Sequence, residues 1–171
     1  NYAKVGPVRD GKLVIMTNTG ILKRLGATRA GVWVISHVIA PLDCRLYRWT
    51  NGRYLTVGRP LAPTLLLTTT GRKSGRPRTV PVFYLRDGER LILCNVNPGF
   101  ERSNPWTLNI RARPIVMVQI GRWNGRYHAR QATDEETARY WPQLVQLWPA
   151  YQQHFARSGQ RFVFVLEEYD A

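Results

Sequence analysis

The chain has 171 residues, 44% of them hydrophobic, and a formal net charge of +14 from 25 Lys and Arg against 11 Asp and Glu. That length suits one hydrophobic core, and that apolar content excludes wholesale disorder. No run of 18 apolar residues occurs, so no transmembrane helix is expected.

The positive field calls for an anionic partner, and charge alone leaves nucleic acid, an acidic membrane surface and a polyanionic cofactor open. Cys44 and Cys94 form no CxxC pair and match no zinc-ligand spacing, so no metal site is expected. Two isolated thiols suit a cytoplasmic protein, with a disulfide between them left open.

Residues 1–40 stand apart, with short apolar runs broken by Gly20, Gly26 and Gly31. They read as a helical or membrane-facing segment ahead of a β-rich unit over residues 41–171. The apolar stretch from Gly31 to Leu42 follows Lys23, Arg24 and Arg29. It suits either a helix over one barrel end or a peripheral contact with acidic lipid.

From Pro41 to Trp49, apolar Leu42, Leu46 and Trp49 recur at helical spacing behind a proline in the first turn, and Asn51-Gly52 stops the helix. Strands are expected over Thr64 to Thr70, Thr79 to Leu85 and Arg90 to Asn95. Asp87-Gly88 forms a hairpin between the last two, and Pro81 marks an edge or a bulge. Asn104-Pro105 predicts an N-cap and a short helix to Ala112, ended by Pro114.

Ile115 to Ile120 and Arg126 to Ala132 read as strands around a turn at Gly121 to Gly125. Thr133 and Glu136 fit a capping box. The helix behind them carries Trp141, Leu144, Val145 and Trp148 on one face, with a kink or a short first segment expected at Pro142. Arg161 to Leu166 is a last strand. Short connections throughout exclude βαβ alternation and predict an α+β fold, an antiparallel barrel flanked by helices.

Chemistry concentrates between the first two strands. Gly71 to Arg78 carries Arg72, Lys73, Arg76 and Arg78 in one turn, with Gly71 and Gly75 free to adopt conformations that bring backbone amides together. Such a turn suits phosphate or carboxylate, and a solvated basic hairpin tip is the plainer reading of the same residues. No GxxxxGK[ST] or GxGxxG motif is present, which excludes P-loop and Rossmann sites.

The run LLLTTTGRKSGRPRTVPV, then Asp87-Gly88, then Asn104-Pro105-Trp106-Thr107-Leu108-Asn109, resembles the deazaflavin-dependent nitroreductase family of actinobacteria. Ala132-Thr133-Asp134-Glu135-Glu136 and the stretch from Tyr140 to Val145 extend the likeness, which covers roughly residues 42 to 167. The resemblance implies a split β-barrel with flanking helices, coenzyme F420 as cofactor, and hydride transfer from reduced deazaflavin to an electron-poor acceptor such as a quinone or an activated enone. It implies that Arg72, Lys73, Ser74 and Arg78 hold the cofactor's phosphate and acidic tail. Val80 and Pro81 would run along its ring, and the loop Val96, Asn97, Pro98 and Gly99 would face it.

The resemblance also places Trp148, Tyr151 and His154 beside the acceptor. Trp148 and Tyr151 would line its pocket, and Tyr151 and His154 would supply protons. Two departures are visible. The family's Ser-Lys-Gly loop is Val96-Asn97-Pro98 here, and of three helical tyrosines only Tyr151 remains. Nitro reduction is therefore not expected to be the main activity. Barrels of this type often pair, so a homodimer is an expectation. An FMN-dependent reductase on the same barrel and a non-catalytic F420 carrier stand as alternatives. A nucleic-acid partner is not expected, because the cations are scattered and no RNA-binding signature occurs.

Overall fold

The computed structural model describes residues 38–56, 62–95 and 104–169. Six antiparallel strands close a barrel: β1 (Thr64–Thr70), β2 (Pro77–Asp87), β3 (Arg90–Asn95), β4 (Ile115–Ile120), β5 (Trp123–Gln131) and β6 (Phe162–Glu168), in the ring order β1-β2-β3-β6-β5-β4. Among the described residues four helices flank it: α1 (Ala40–Trp49), α2 (Pro105–Ala112), α3 (Asp134–Leu147) and α4 (Ala150–Ser158). The fold is α+β, as the sequence predicts. The expected segment 1–40 lies outside the described residues except for its last three.

The runs LLL, LILC and FVFVL are continuously apolar because both faces of those strands are covered. Leu65, Leu67, Leu91, Leu93, Phe164 and Leu166 point into the barrel. The residues between them point outward. Leu66 meets α1 through Tyr47, and Ile92, Cys94, Val163 and Val165 meet α3 through Tyr140, Trp141 and Leu144 and α4 through Tyr151. Each fully buried aliphatic side chain contributes about 1.5–3 kcal/mol. The barrel interior continues into α2, whose Trp106 and Ile110 plug one end, Trp106 meeting Phe164 edge-on at 5.4 Å.

Strand β2 joins two neighbours in turn. Pro77 to Phe83 pair with β1, and Tyr84 to Asp87 pair with β3. The first half of β2 therefore has no β3 partner, and there the barrel is split. Tyr84 N–H donates to Pro63 O at 3.0 Å, so even-numbered residues of β2 turn their amides toward β1. Pro81, an odd one, turns its missing donor to the unpaired side, which makes it an edge rather than a bulge.

Several sequence expectations are corrected. Strand β2 extends to Pro77 and Asp87, because β1 and β3 supply partners beyond the apolar run. Strand β5 starts at Trp123 instead of Arg126, since the β4 register continues to Ile120↔Trp123 and leaves a tight turn at Gly121. Asn104 occupies the N-cap position of α2 but its side chain does not cap; Nδ2 donates to Asn95 Oδ1, tying the helix start to β3. Helix α3 runs through Pro142, because Trp141 and Leu144 on either side are buried against the barrel. The break falls instead at Trp148, extended (φ −145, ψ 92) as a residue before proline prefers to be.

The stripe that predicts α1 also faces the other way. Leu42 and Trp49 are 44% and 83% exposed, while Cys44 and Tyr47 hold the helix to the barrel. Tyr47 Oη donates to Thr64 O at 2.6 Å. The capping box of α3 forms as expected: Thr133 Oγ1 accepts from Glu136 N, and Glu136 accepts from Thr133 N.

Candidate functional site

The β1–β2 turn is built by two glycines for different reasons. Gly75 sits at φ +67, in the left-handed region that L side chains avoid. Gly71 has no such φ, but a Cβ there would stand 2.8 Å from Ser74 Oγ and 3.1 Å from Arg76 O. Gly71 N–H donates to Arg76 O at 2.9 Å and Gly75 N–H to Gly71 O at 2.8 Å, which close the turn. The amides of Lys73 and Ser74 hold no partner among the described residues. The side chains of Arg72, Lys73, Ser74 and Arg78 are all exposed.

The turn opens onto a groove of about 780 Å³. Its walls are the turn and β2 as far as Val80, the start of α2, and one face of α1. From α1 come Pro41, Cys44, Arg45 and Arg48, at spacings that share a helical face. Arg45, Arg48, Arg72, Lys73 and Arg78 thus line one groove, and no carboxylate is among its described lining residues. Thr69, Asn104, Trp106 and Asn109 complete the floor near the barrel end.

Four predicted residues, Arg72, Lys73, Ser74 and Arg78, are brought together here with Val80. Pro81 follows on the unpaired edge of β2. Val96, Asn97, Pro98 and Gly99 lie outside the described residues. Trp148 meets Phe83 of β2 at 5.2 Å between ring centroids, at the corner between α3 and α4. Tyr151 sits at the same corner, 6% exposed, in the outer cluster with Cys94 and Trp141. Neither lines the groove. Burial raises the Tyr151 phenol well above its usual range, so it is a neutral hydroxyl at any physiological pH. His154 is half-buried on α4, three residues on.

Sequence reasoning missed Arg45, Arg48 and Asn109. The signal for the arginines is the i, i+3, i+4, i+7 pattern of Pro41, Cys44, Arg45 and Arg48, masked by the more conspicuous Leu42, Leu46 and Trp49. Cys44 and Cys94 are both free and buried in separate clusters. Burial pushes the Cys94 thiol up to about 12. No group of His, Cys, Asp or Glu among the described residues is arranged to hold a metal.

A closed barrel with a gap beside β2, and a cationic groove at that gap, defines a split-barrel protein equipped to hold an anionic ligand. Known proteins give that class its chemistry. A family model described as F420H(2)-dependent quinone reductase matches residues 42–168. An F420H(2)-dependent quinone reductase of Mycobacterium tuberculosis is 36% identical over 116 residues, covering 64% of this chain and 76% of the relative. The solved F420-H2 dependent reductase FDR-A has a TM-score of 0.57 at 30% identity, over 61% of this chain and 94% of that one. A protein solved as a domain-swapped dimer has a TM-score of 0.60 at 27% identity, over 72% of this chain and 92% of its own.

The chain belongs to the F420H(2)-dependent quinone reductase family. It is an oxidoreductase, and its cofactor is coenzyme F420 rather than FMN. The family model and the Mycobacterium tuberculosis relative both carry the quinone-reductase name.

Proposed function

We propose that the groove between the β1–β2 turn and α1 holds the phosphate and acidic tail of F420, with Arg72, Lys73, Ser74 and Arg78 on one wall and Arg45 and Arg48 on the other. The observation that carries this is the meeting of five cations, with no lining carboxylate, over a turn whose glycine leaves no room for a Cβ. A polyanion there gains charge-assisted hydrogen bonds without displacing an internal ion pair. When bound, the reduced cofactor supplies a hydride, and a quinone is the acceptor.

The chain's own residues then bind, orient and exclude water. Thr79 and Val80 carry the groove onto the unpaired edge of β2, and Pro81 and Phe83 extend that edge toward Trp148. We assign Trp148, Tyr151 and His154 to the acceptor side at this corner. Cys94 and Asn95 lead from it into the loop Val96 to Gly99, which we assign to the cofactor. Tyr151, held neutral by burial, is suited to donate a hydrogen bond and unsuited to accept a proton.

Titration with F420 by fluorescence quenching tests the tail site. Arg72→Ala and Lys73→Ala should each raise Kd about tenfold, more at low salt than at high. Unchanged affinity at low salt removes the phosphate role from the turn.

The outward face of α1 supports a second reading, peripheral contact with acidic lipid. Leu42 and Trp49 on that face are 44% and 83% exposed beside Arg45 and Arg48, and Val38 just ahead of the helix is 43% exposed. No helix among the described residues is long and apolar enough to cross a membrane. Phosphatidylglycerol vesicles should retain the protein in sedimentation, and Trp49→Ser should release it; retention untouched by that change refutes the contact. A homodimer is the assembly we assign, supported by the dimer named for the structural relative; light scattering at the monomer mass would reject it.

A further inference from the structure

Asn109 is a buried polar side chain, 4% exposed, on the barrel-plugging helix α2. Its amide is used in both directions. Oδ1 accepts from Arg72 N at 3.1 Å, and Nδ2 donates to Thr69 Oγ1 at 3.0 Å. Those partners lie 37 and 40 residues away in sequence, at the first cation of the turn and near the end of β1. The neighbours of Asn109 on the same helix, Trp106 and Ile110, are fixed in the barrel core.

A turn between two strands is ordinarily free to rock about its base. Here its first cation is pinned through the backbone to an element that cannot move without opening the barrel. A buried amide is costly unless its hydrogen bonds are made, so its retention at this point calls for a reason. The amides of Gly71 and Gly75 are already spent closing the turn, and that of Arg72 is spent on Asn109. The pair Lys73 and Ser74 is therefore left at the tip, presented at one fixed orientation to the groove.

We infer that Asn109 is a positioning residue for coenzyme binding: it pre-organises the Arg72–Ser74 arc and so lowers the entropy lost when the anionic tail is gripped. This rests on the tail reading given above. Asn109 exerts the effect through Arg72 and Thr69 and is assigned no part in the chemistry.

The test compares F420 titration with acceptor kinetics in the full chain. Asn109→Leu keeps the size and removes both hydrogen bonds. It should raise the F420 Kd about tenfold while the acceptor KM stays within twofold. A role limited to holding the barrel together would move both constants along with the melting temperature. Thr69→Val, a milder cut of the same link, should raise the F420 Kd about threefold and decides the matter if Asn109→Leu does not fold. An F420 Kd within twofold of the parent in the folded variant, or an acceptor KM that rises in step, overturns the inference. If Arg72→Ala weakens F420 binding and these variants do not, Asn109 is only a buttress. If none of them does, the tail reading itself has failed.

Discussion

Gly71 lies so close beneath Ser74 that a Cβ on it would stand 2.8 Å from the serine Oγ, with the Arg76 carbonyl 3.1 Å away on another side. The serine can rotate, but the carbonyl belongs to the hydrogen bond that closes the turn. Gly71→Ala should therefore leave the barrel intact, at a cost of about 1–2 kcal/mol, and open the turn. The expected outcome is a cooperative melt lowered by about 2–8 °C with an F420 Kd raised about tenfold. A parental Kd would show that the turn need not be closed to bind.

The second wall of the groove makes its own prediction. Arg45 and Arg48 reach it from α1, independently of the turn. Arg45→Ala with Arg48→Ala should weaken F420 about five- to tenfold at low salt and flatten the dependence of Kd on ionic strength, because fewer cations then meet the tail. Titrations at two salt concentrations check this. An unchanged slope would confine the anion site to the hairpin.

Tyr151 offers a sharper division between cofactor and acceptor. Its phenol is buried and neutral. Tyr151→Phe should lower kcat about tenfold if the hydroxyl assists the acceptor, with the F420 Kd within twofold. Steady-state kinetics at saturating cofactor read the difference. Identical kinetics would return Tyr151 to packing beside Cys94 and Trp141.

The capping box of α3 should set the acid limit of the fold. Arg130 Nη1 and Nη2 each donate to Glu136 at 2.7 Å, and Thr133 N–H donates at 2.9 Å. The guanidinium first, then the backbone, holds the Glu136 carboxyl down at about 2 against an ordinary 4.5. A lowered folded value means stability that is complete above pH 4.5 and lost as the pH falls toward 2. Glu136→Gln should cost roughly 1–3 kcal/mol at pH 7, discounted for partial exposure, and the gap to the parent should close near the acid end. Denaturant melts across that range would show it. A gap that persists at low pH would assign the loss to packing instead of charge.

Local patterns carried most of the fold. Thr133 and Glu136 announce the start of α3, Asp87-Gly88 marks a hairpin, and two glycines among four cations mark the turn from Gly71 to Arg78 as an anion-binding candidate that reads equally as a solvated hairpin tip. These are contacts between neighbours in sequence, where spacing alone fixes what can meet. The resemblance carried by the residues around Gly71 named the cofactor, which composition could not.

Tertiary structure decided what faces what. Leu42, Leu46 and Trp49 signalled a helix whose buried side turned out to be Cys44 and Tyr47, because the anchor for α1 is a hydrogen bond to Thr64 in another element. Asn104 was legible as a helix start but not as a partner of Asn95, and Asn109 gave no sign of reaching Thr69 and Arg72. The groove draws together Arg45, Arg72 and Trp106 from three separate stretches of chain. Periodicity records which side of an element is apolar; closure of the barrel selects which elements that side will meet, and long-range geometry of that kind leaves no local trace.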